Sequence, residues 1–111
     1  MANVYKNANY KLATTAVTDI YTCPNISSSI VKKIHAANTG AGNDSIKAFI
    51  YDSSDSVTYQ FAEHTVNVNN SQAVGDGTFI LEENDKLQLQ AATSNHFEGT
   101  VAILETNRED L

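Results

Sequence analysis

The chain is expected to be an all-β protein, a single-domain antiparallel β-sandwich of about eight strands, jelly-roll-like or alternatively immunoglobulin-like. Three observations predict this. Lys86 to Ala91 alternates strictly between polar and apolar residues, setting Leu87, Leu89 and Ala91 on one side of a strand and Lys86, Gln88 and Gln90 on the other. Polar breaks recur at a spacing of about ten residues. The chain of 111 residues carries a single proline, and no linker, repeat or low-complexity tract divides it, so residues 1–111 read as one domain.

Taken in order, strands are expected near residues 4–14, 17–22, 29–38, 45–52, 57–67, 78–82, 86–92 and 97–106. The second ends where Cys23 precedes Pro24. Ile30-Val31-Lys32-Lys33-Ile34 has apolar and basic residues on both faces, the pattern of an edge strand guarded by lysines or a strand sandwiched between subunits. The loop Asn38 to Asp44 is rich in turn residues, with glycines suited to positive φ, and Asp52 to Ser56 is a second polar connector; each is expected to join antiparallel neighbours. Between them, Ile46, Ala48 and Ile50 form a core face while Lys47, Phe49 and Tyr51 point outward. Val57, Tyr59 and Phe61 read as the core side of a one-sided strand. Phe79-Ile80-Leu81 and Lys86 to Ala91 flank the turn Glu82-Glu83-Asn84-Asp85 and read as a hairpin, extended by Phe97 to Leu104 into a meander.

Charge excludes one class of partner. Formal net charge is −6, with five lysines against two acids in residues 1–50 and eleven acids against Lys86 and Arg108 in the remainder. A nucleic-acid binder needs a coherent basic footprint, so no nucleic-acid partner is expected. If the two halves form different surfaces, one copy's basic patch meets a neighbour's acidic patch; otherwise the acids form a solvated surface. No run is long enough to cross a bilayer, and the first residues lack the apolar core of a signal peptide, so no membrane contact and synthesis in a cytoplasm are expected. Cys23 has no cysteine to pair with and reads as a small buried hydrophobe at a strand end.

Catalytic grammar is missing. His35, His64 and His96 are scattered without metal-ligand spacing, and no nucleophile elbow, phosphate loop or dinucleotide fingerprint occurs. The acids Glu82, Glu83 and Asp85 crowd one turn, where turn chemistry accounts for them. Oxygen ligands for calcium exist in principle at Asn43-Asp44, Asp52-Asp55 and Asp76, without a recognised calcium-loop register. For carbohydrate, Tyr51, Tyr59 and Asn67 to Asn70 are thin candidates in a chain without tryptophan. The expectation is a protein that is not an enzyme, with no cofactor, no catalytic residue and no metal site.

Three segments carry a resemblance: Met1 to Asn7, Ile20 to Pro24 with Ser29 to Lys32, and Phe79 to Glu82 through Leu87 to Ala91 and Ala102 to Glu105. They resemble small virion structural proteins of tailed bacteriophages, especially those of marine and cyanobacterial hosts. Within that group the chain is most similar to capsid decoration, or cement, proteins. The resemblance implies a homo-oligomer, often a trimer, made in the host cytoplasm and bound to the major capsid protein on the head surface. Under it, Val4, Tyr5, Lys32, Lys33, Lys47, Phe49 and Tyr51 are candidates for subunit or capsid contacts. The alternative is a tail, baseplate or fibre-associated module that binds a receptor glycan.

Overall fold

The computed structural model describes residues 2–75 and 78–107, and these form nine β-strands in two antiparallel sheets with no helix among the described residues. The strands are β1 (Ala2–Leu12), β2 (Thr18–Thr22), β3 (Ser27–Asn38), β4 (Asp44–Asp52), β5 (Val57–Val66), β6 (Ser71–Ala73), β7 (Phe79–Leu81), β8 (Lys86–Ala91) and β9 (Phe97–Asn107). Sheet A runs β1-β9-β3, with β6 and β7 sharing the far side of β3, and sheet B runs β2-β8-β4-β5. Eight of these strands fall where alternation places them. The ninth, β6, has only three residues, Ser71-Gln72-Ala73, too few to show a period.

Pairing is nested: β1 pairs β9, β2 pairs β8, β3 pairs β6 and β7, and β4 pairs β5. A long ribbon of such nested pairs, rolled up, gives a jelly roll, so this order selects that topology over the immunoglobulin-like one. It also corrects several local expectations. Leu81 and Lys86 flank a turn, but β7 lies in sheet A and β8 in sheet B, so Phe79 to Ala91 is not a hairpin. The C-terminal strands β8 and β9 likewise lie in different sheets and form no meander. The Asn38 to Asp44 loop crosses from one sheet to the other; of the two connectors expected to join neighbours, only Asp52 to Ser56 does so, between β4 and β5. β3 is no edge strand, because β9 flanks one side and β6 and β7 the other. Its mixed pattern has another cause: the register with β9 slips between Val31 and Lys33, a bulge that leaves Lys32 unpaired and exposed.

Nesting also mixes the two charge halves. Every adjacent strand pair joins a strand from residues 2–52 with one from residues 57–107. The two halves of the chain therefore do not form separate surfaces, and opposite charges meet locally, as in Lys6 Nζ to Glu105 Oε2 at 3.2 Å and Lys86 Nζ to Asp19 Oδ2 at 3.2 Å.

The core fills the space between the sheets, with Leu12, Ile34, Phe97, Val101 and Ile103 from sheet A and Ile46, Ala48, Leu87 and Leu89 from sheet B buried. Each large aliphatic side chain so buried contributes about 1.5–3 kcal/mol. Cys23 is fully buried, with Sγ 3.3 Å from Ser29 Oγ and 3.5 Å from the Ser27 carbonyl. Polar links close both ends. Asp85 Oδ1 accepts from the Ser53 amide at 3.0 Å and its hydroxyl at 3.1 Å, while Oδ2 accepts from the Glu82 amide at 3.0 Å. At the opposite end, buried Asn38 donates to the Gly42 and Val66 carbonyls at 2.9 and 2.8 Å and accepts from the Gly40 amide at 2.9 Å. Gly40 serves close approach here, since a Cβ would fall 2.3 Å from the His96 ring.

Candidate interaction surfaces

The register of sheet A decides which side chains share its outer face. Tyr5 pairs with Leu104, Leu104 with Ile30, and Ile30 with Ile80, so one row of apolar side chains crosses four strands. At a spacing of about 4.8 Å per strand the row is about 15 Å long. Tyr5 is 74% exposed and Ile80 65%, while Ile30 and Leu104 between them are partly covered by their neighbours. The rows on either side are polar but mostly uncharged: Asn3-Thr106-Ser28, Asn7-Ala102-Lys33 and Asn9-Thr100-His35. Thr100 and Thr106 donate to the side-chain oxygens of Asn9 and Asn3 at 2.7 and 3.0 Å, which orients those amides. Glu98, between Lys11 and Ala37, is the one acid in the rows of this face.

Sheet B presents a different outer face. Here Lys47 lies between Gln90 and Glu63, Phe49 between Gln88 and Gln60, and Tyr51 between Lys86 and Thr58. The neighbours are tied together: Asp19 accepts from Gln88 at 2.8 Å and from Lys86 at 3.2 Å, and the Lys86 ammonium stands 5.7 Å from the Tyr51 ring centre. The Gln88 hydrogen bond, helped by Lys86 and opposed by partial desolvation, holds the Asp19 carboxyl below its ordinary value. Phe49 and Tyr51 face outward as their alternation predicts, but both are half-buried among these polar side chains.

The candidate contact residues therefore divide. Tyr5 and Lys33 share the outer face of sheet A, with Lys32 exposed at the bulge beside them. Val4 turns to the opposite side of β1 and is 45% exposed near the strand's start. Lys47, Phe49 and Tyr51 lie on the far side of the sandwich. Ile80 and Leu104 were not among the sequence candidates. Their signal was an apolar run on both faces, Phe79-Ile80-Leu81 and Ile103-Leu104, which the alternation argument passed over.

A cleft of about 560 Å³ opens between β5 and the break separating β6 from β7, lined by Ile50, Phe61, Ala62, Glu63, His64, Gly75, Thr78 and Phe79. At this point the register of β5 on β4 slips between Ala48 and Phe49, leaving Phe61 unpaired. Val57, Tyr59 and Phe61, expected in the core, are 42%, 51% and 37% exposed because β5 is the edge strand of sheet B; Tyr59 still pairs with the core-facing Ile50. The Phe61 and Phe79 rings meet across the cleft at 4.8 Å, tilted by 59°. His64 accepts the Gly75 amide on Nε2 at 3.0 Å, which requires its proton on Nδ1, 2.8 Å from the Gln72 amide group; the oxygen of that amide must then face the ring.

The interior hydroxyls of Tyr21 and Ser29 are engaged in structure. Tyr21 reaches from β2 to the other sheet, where its hydroxyl donates to Glu105 and lies 2.7 Å from Ser29 Oγ. Burial first, and then the Glu105 carboxylate, push its phenol pKa well up. Among the described residues no group of three or more His, Cys, Asp and Glu side chains is placed to hold a metal ion; Asp76 lies outside the described residues. No described helix is long and apolar enough to cross a membrane.

No protein-family pattern matches the chain, and no curated protein matches it in sequence. Solved structures do match in fold. A chain of infectious bursal virus derived T=1 particles superposes with a TM-score of 0.59 at 10% identity, over 94% of this chain and 30% of that one. A protein of Bacillus endospore appendages, described as disulfide-linked pili, gives 0.56 at 13% identity, over 94% and 84%. A Clostridium thermocellum xylanase chain, complexed with xylohexaose, gives 0.53 at 10% identity, over 95% and 26%. This chain thus spans under a third of the viral and xylanase chains. At these identities the shared property is the fold: the chain is a jelly-roll β-sandwich of the kind also found in viral particle, pilus and carbohydrate-processing proteins.

Proposed function

We propose that the chain is a non-enzymatic structural protein of a phage virion, a capsid decoration protein that binds the assembled head lattice at its surface and stabilises it. The observation that carries this reading is the outer face of sheet A, where an exposed apolar row lies in a nearly acid-free field on a chain of net charge −6. Such a face favours burial against protein. Binding the assembled lattice but not free capsid protein stabilises the lattice by mass action, and several copies held together add avidity. The sequence resemblance to phage virion proteins supplies the partner, the major capsid protein. The test is immunogold labelling of purified virions with antibody to the recombinant chain. Label spread over heads is the expected result; unlabelled particles with an accessible epitope would remove the virion reading.

A second reading has its own observation. The cleft beside Phe61 and Phe79, with Glu63 at its rim, suits a glycan-binding module carried on a tail or fibre. That reading requires a saccharide-dependent rise in melting temperature, abolished by Phe61→Ala, and label confined to tails.

A further inference from the structure

We propose that the outer face of sheet A docks a second copy of the same chain, face to face about a two-fold axis. This rests on the reading of that face as an assembly surface and names its occupant.

Charge is the first argument. Two copies of a chain carrying −6 repel wherever acids face acids, and the acids crowd elsewhere: Asp19 and Glu63 on the outer side of sheet B, Glu82 and Glu83 in the β7–β8 turn. On sheet A the one outward acid among the described residues, Glu98, lies opposite Lys11. Among the described residues, this face meets its own copy without bringing uncompensated carboxylates within the screening distance of about 8 Å at physiological salt, its remaining cations being Lys32 and Lys33 on β3.

Symmetry is the second. The order of the row is Tyr5, Leu104, Ile30, Ile80. A two-fold axis running along the strands between β9 and β3 reverses that order, setting Tyr5 of one copy over Ile80 of the other and Leu104 over Ile30. Each exposed end meets the exposed end of the partner, the self-complementarity that an isologous contact needs. The Asn3 and Asn9 amides, oriented by the threonine hydroxyls, lie in the flanking rows as donors across the contact.

Area is the third. Three strand positions of about eleven residues, with the three residues each of β6 and β7 in the fourth, give a face of about 600 Å², against the roughly 800 Å² per partner of a standard stable interface. Sheets packed this way align their strands within about 30°.

Sedimentation velocity of the full chain across a micromolar concentration series tests the proposal. The wild type is expected to dimerise, and Tyr5→Glu with Ile80→Glu is expected to raise the dissociation constant by at least about a hundredfold, since it places carboxylates in the contact. Phe49→Ala, on the opposite sheet, is expected to remain dimeric. Thermal melts establish that each variant is folded, and Tyr5→Ser with Ile80→Thr replaces the glutamate pair should that pair unfold. A wild type that stays monomeric, a trimer, or a dimer that survives the paired substitution overturns the proposal. If the wild type is monomeric and the paired variant loses head binding, the face belongs to the capsid lattice and the virion reading stands. If the dimer behaves as expected and virions carry no label, self-docking stands and the virion reading fails.

Discussion

Gly99 offers a sharp test of how closely sheet A is built. It lies in β9 opposite Tyr10 of β1 and Ala36 of β3, and the Tyr10 side chain passes over it to donate from its hydroxyl to the His35 carbonyl at 2.7 Å. Burial pushes that phenol's pKa up, as expected for a group held away from water. A Cβ on Gly99 would fall 2.0 Å from the His35 oxygen, 3.0 Å from its carbonyl carbon and 2.8 Å from the Tyr10 hydroxyl. The first separation is about 1 Å short of the tightest ordinary contact, and the atom it meets is backbone, which cannot swing aside. Overpacking of this kind costs about 1–3 kcal/mol, and displacing the carbonyl also breaks the tyrosine's hydrogen bond, worth about 1 kcal/mol. Gly99→Ala is therefore expected to destabilise by about 3 kcal/mol, lowering the melting temperature by about 10–20 °C, whereas Tyr10→Phe costs about 1 kcal/mol. The two effects share one carbonyl, so the double variant should fall short of their sum by about 1 kcal/mol. Equilibrium urea denaturation of all four chains measures this cycle. A Gly99→Ala cost under about 1 kcal/mol, or full additivity, would refute the close approach of β1, β9 and β3 described above.

Two further outcomes are expected. Ile26, in the β2–β3 turn, takes φ of 60°, a left-handed conformation costly for a β-branched side chain, while its amide donates to Glu83 Oε2 at 2.8 Å. Ile26→Asn keeps that amide and should stabilise by about 1 kcal/mol in the same denaturation assay; a loss of stability would show that the 39%-exposed isoleucine side chain contributes packing that outweighs the strain. For Asp19 the folded pKa lies below the ordinary 3.8, so its contribution is present above that value and lost as pH falls through the folded pKa. Asp19→Asn should thus flatten the acid limb of the stability curve slightly, the effect being small because the pair is exposed to solvent, and an unchanged limb would mean that the Gln88 and Lys86 contacts are not maintained in solution.

The nested pairing has a consequence for how charge behaves on this molecule. Because early strands always lie beside late ones, the lysines of the first half are spread among the acids of the second, and both sheets become mixtures. What distinguishes the faces is then not the sign of a half-chain but which alternate positions point outward. On sheet B those positions are charged and amide-bearing; on sheet A they are mostly apolar, hydroxyl and asparagine, with Lys11, Lys33, His35 and Glu98 the exceptions.

Strand locations and their two sides were legible in the chain alone. Ile46, Ala48, Leu87, Leu89 and Ala91 are buried, and Lys47, Phe49, Tyr51 and Lys86 face outward, because side chains of an extended chain alternate whatever it pairs with. The burial of Cys23 and the turn role of Asp85 followed from equally local chemistry. Which strands pair was another matter. Phe79 to Leu81 and Lys86 to Ala91 adjoin across a tight turn yet enter different sheets, since partners as distant as Ala2 and Asn107 or Asp19 and Gln88 are selected by the burial of the whole set of apolar faces. Bulges at Val31/Lys33 and Ala48/Phe49 shift the two-residue period, and the edge position of β5, set by the pairing of the other strands, leaves Tyr59 and Phe61 exposed against expectation. The apolar row of Tyr5, Leu104, Ile30 and Ile80 exists only in the register between strands: its members are scattered along the sequence, and tertiary pairing alone aligns them.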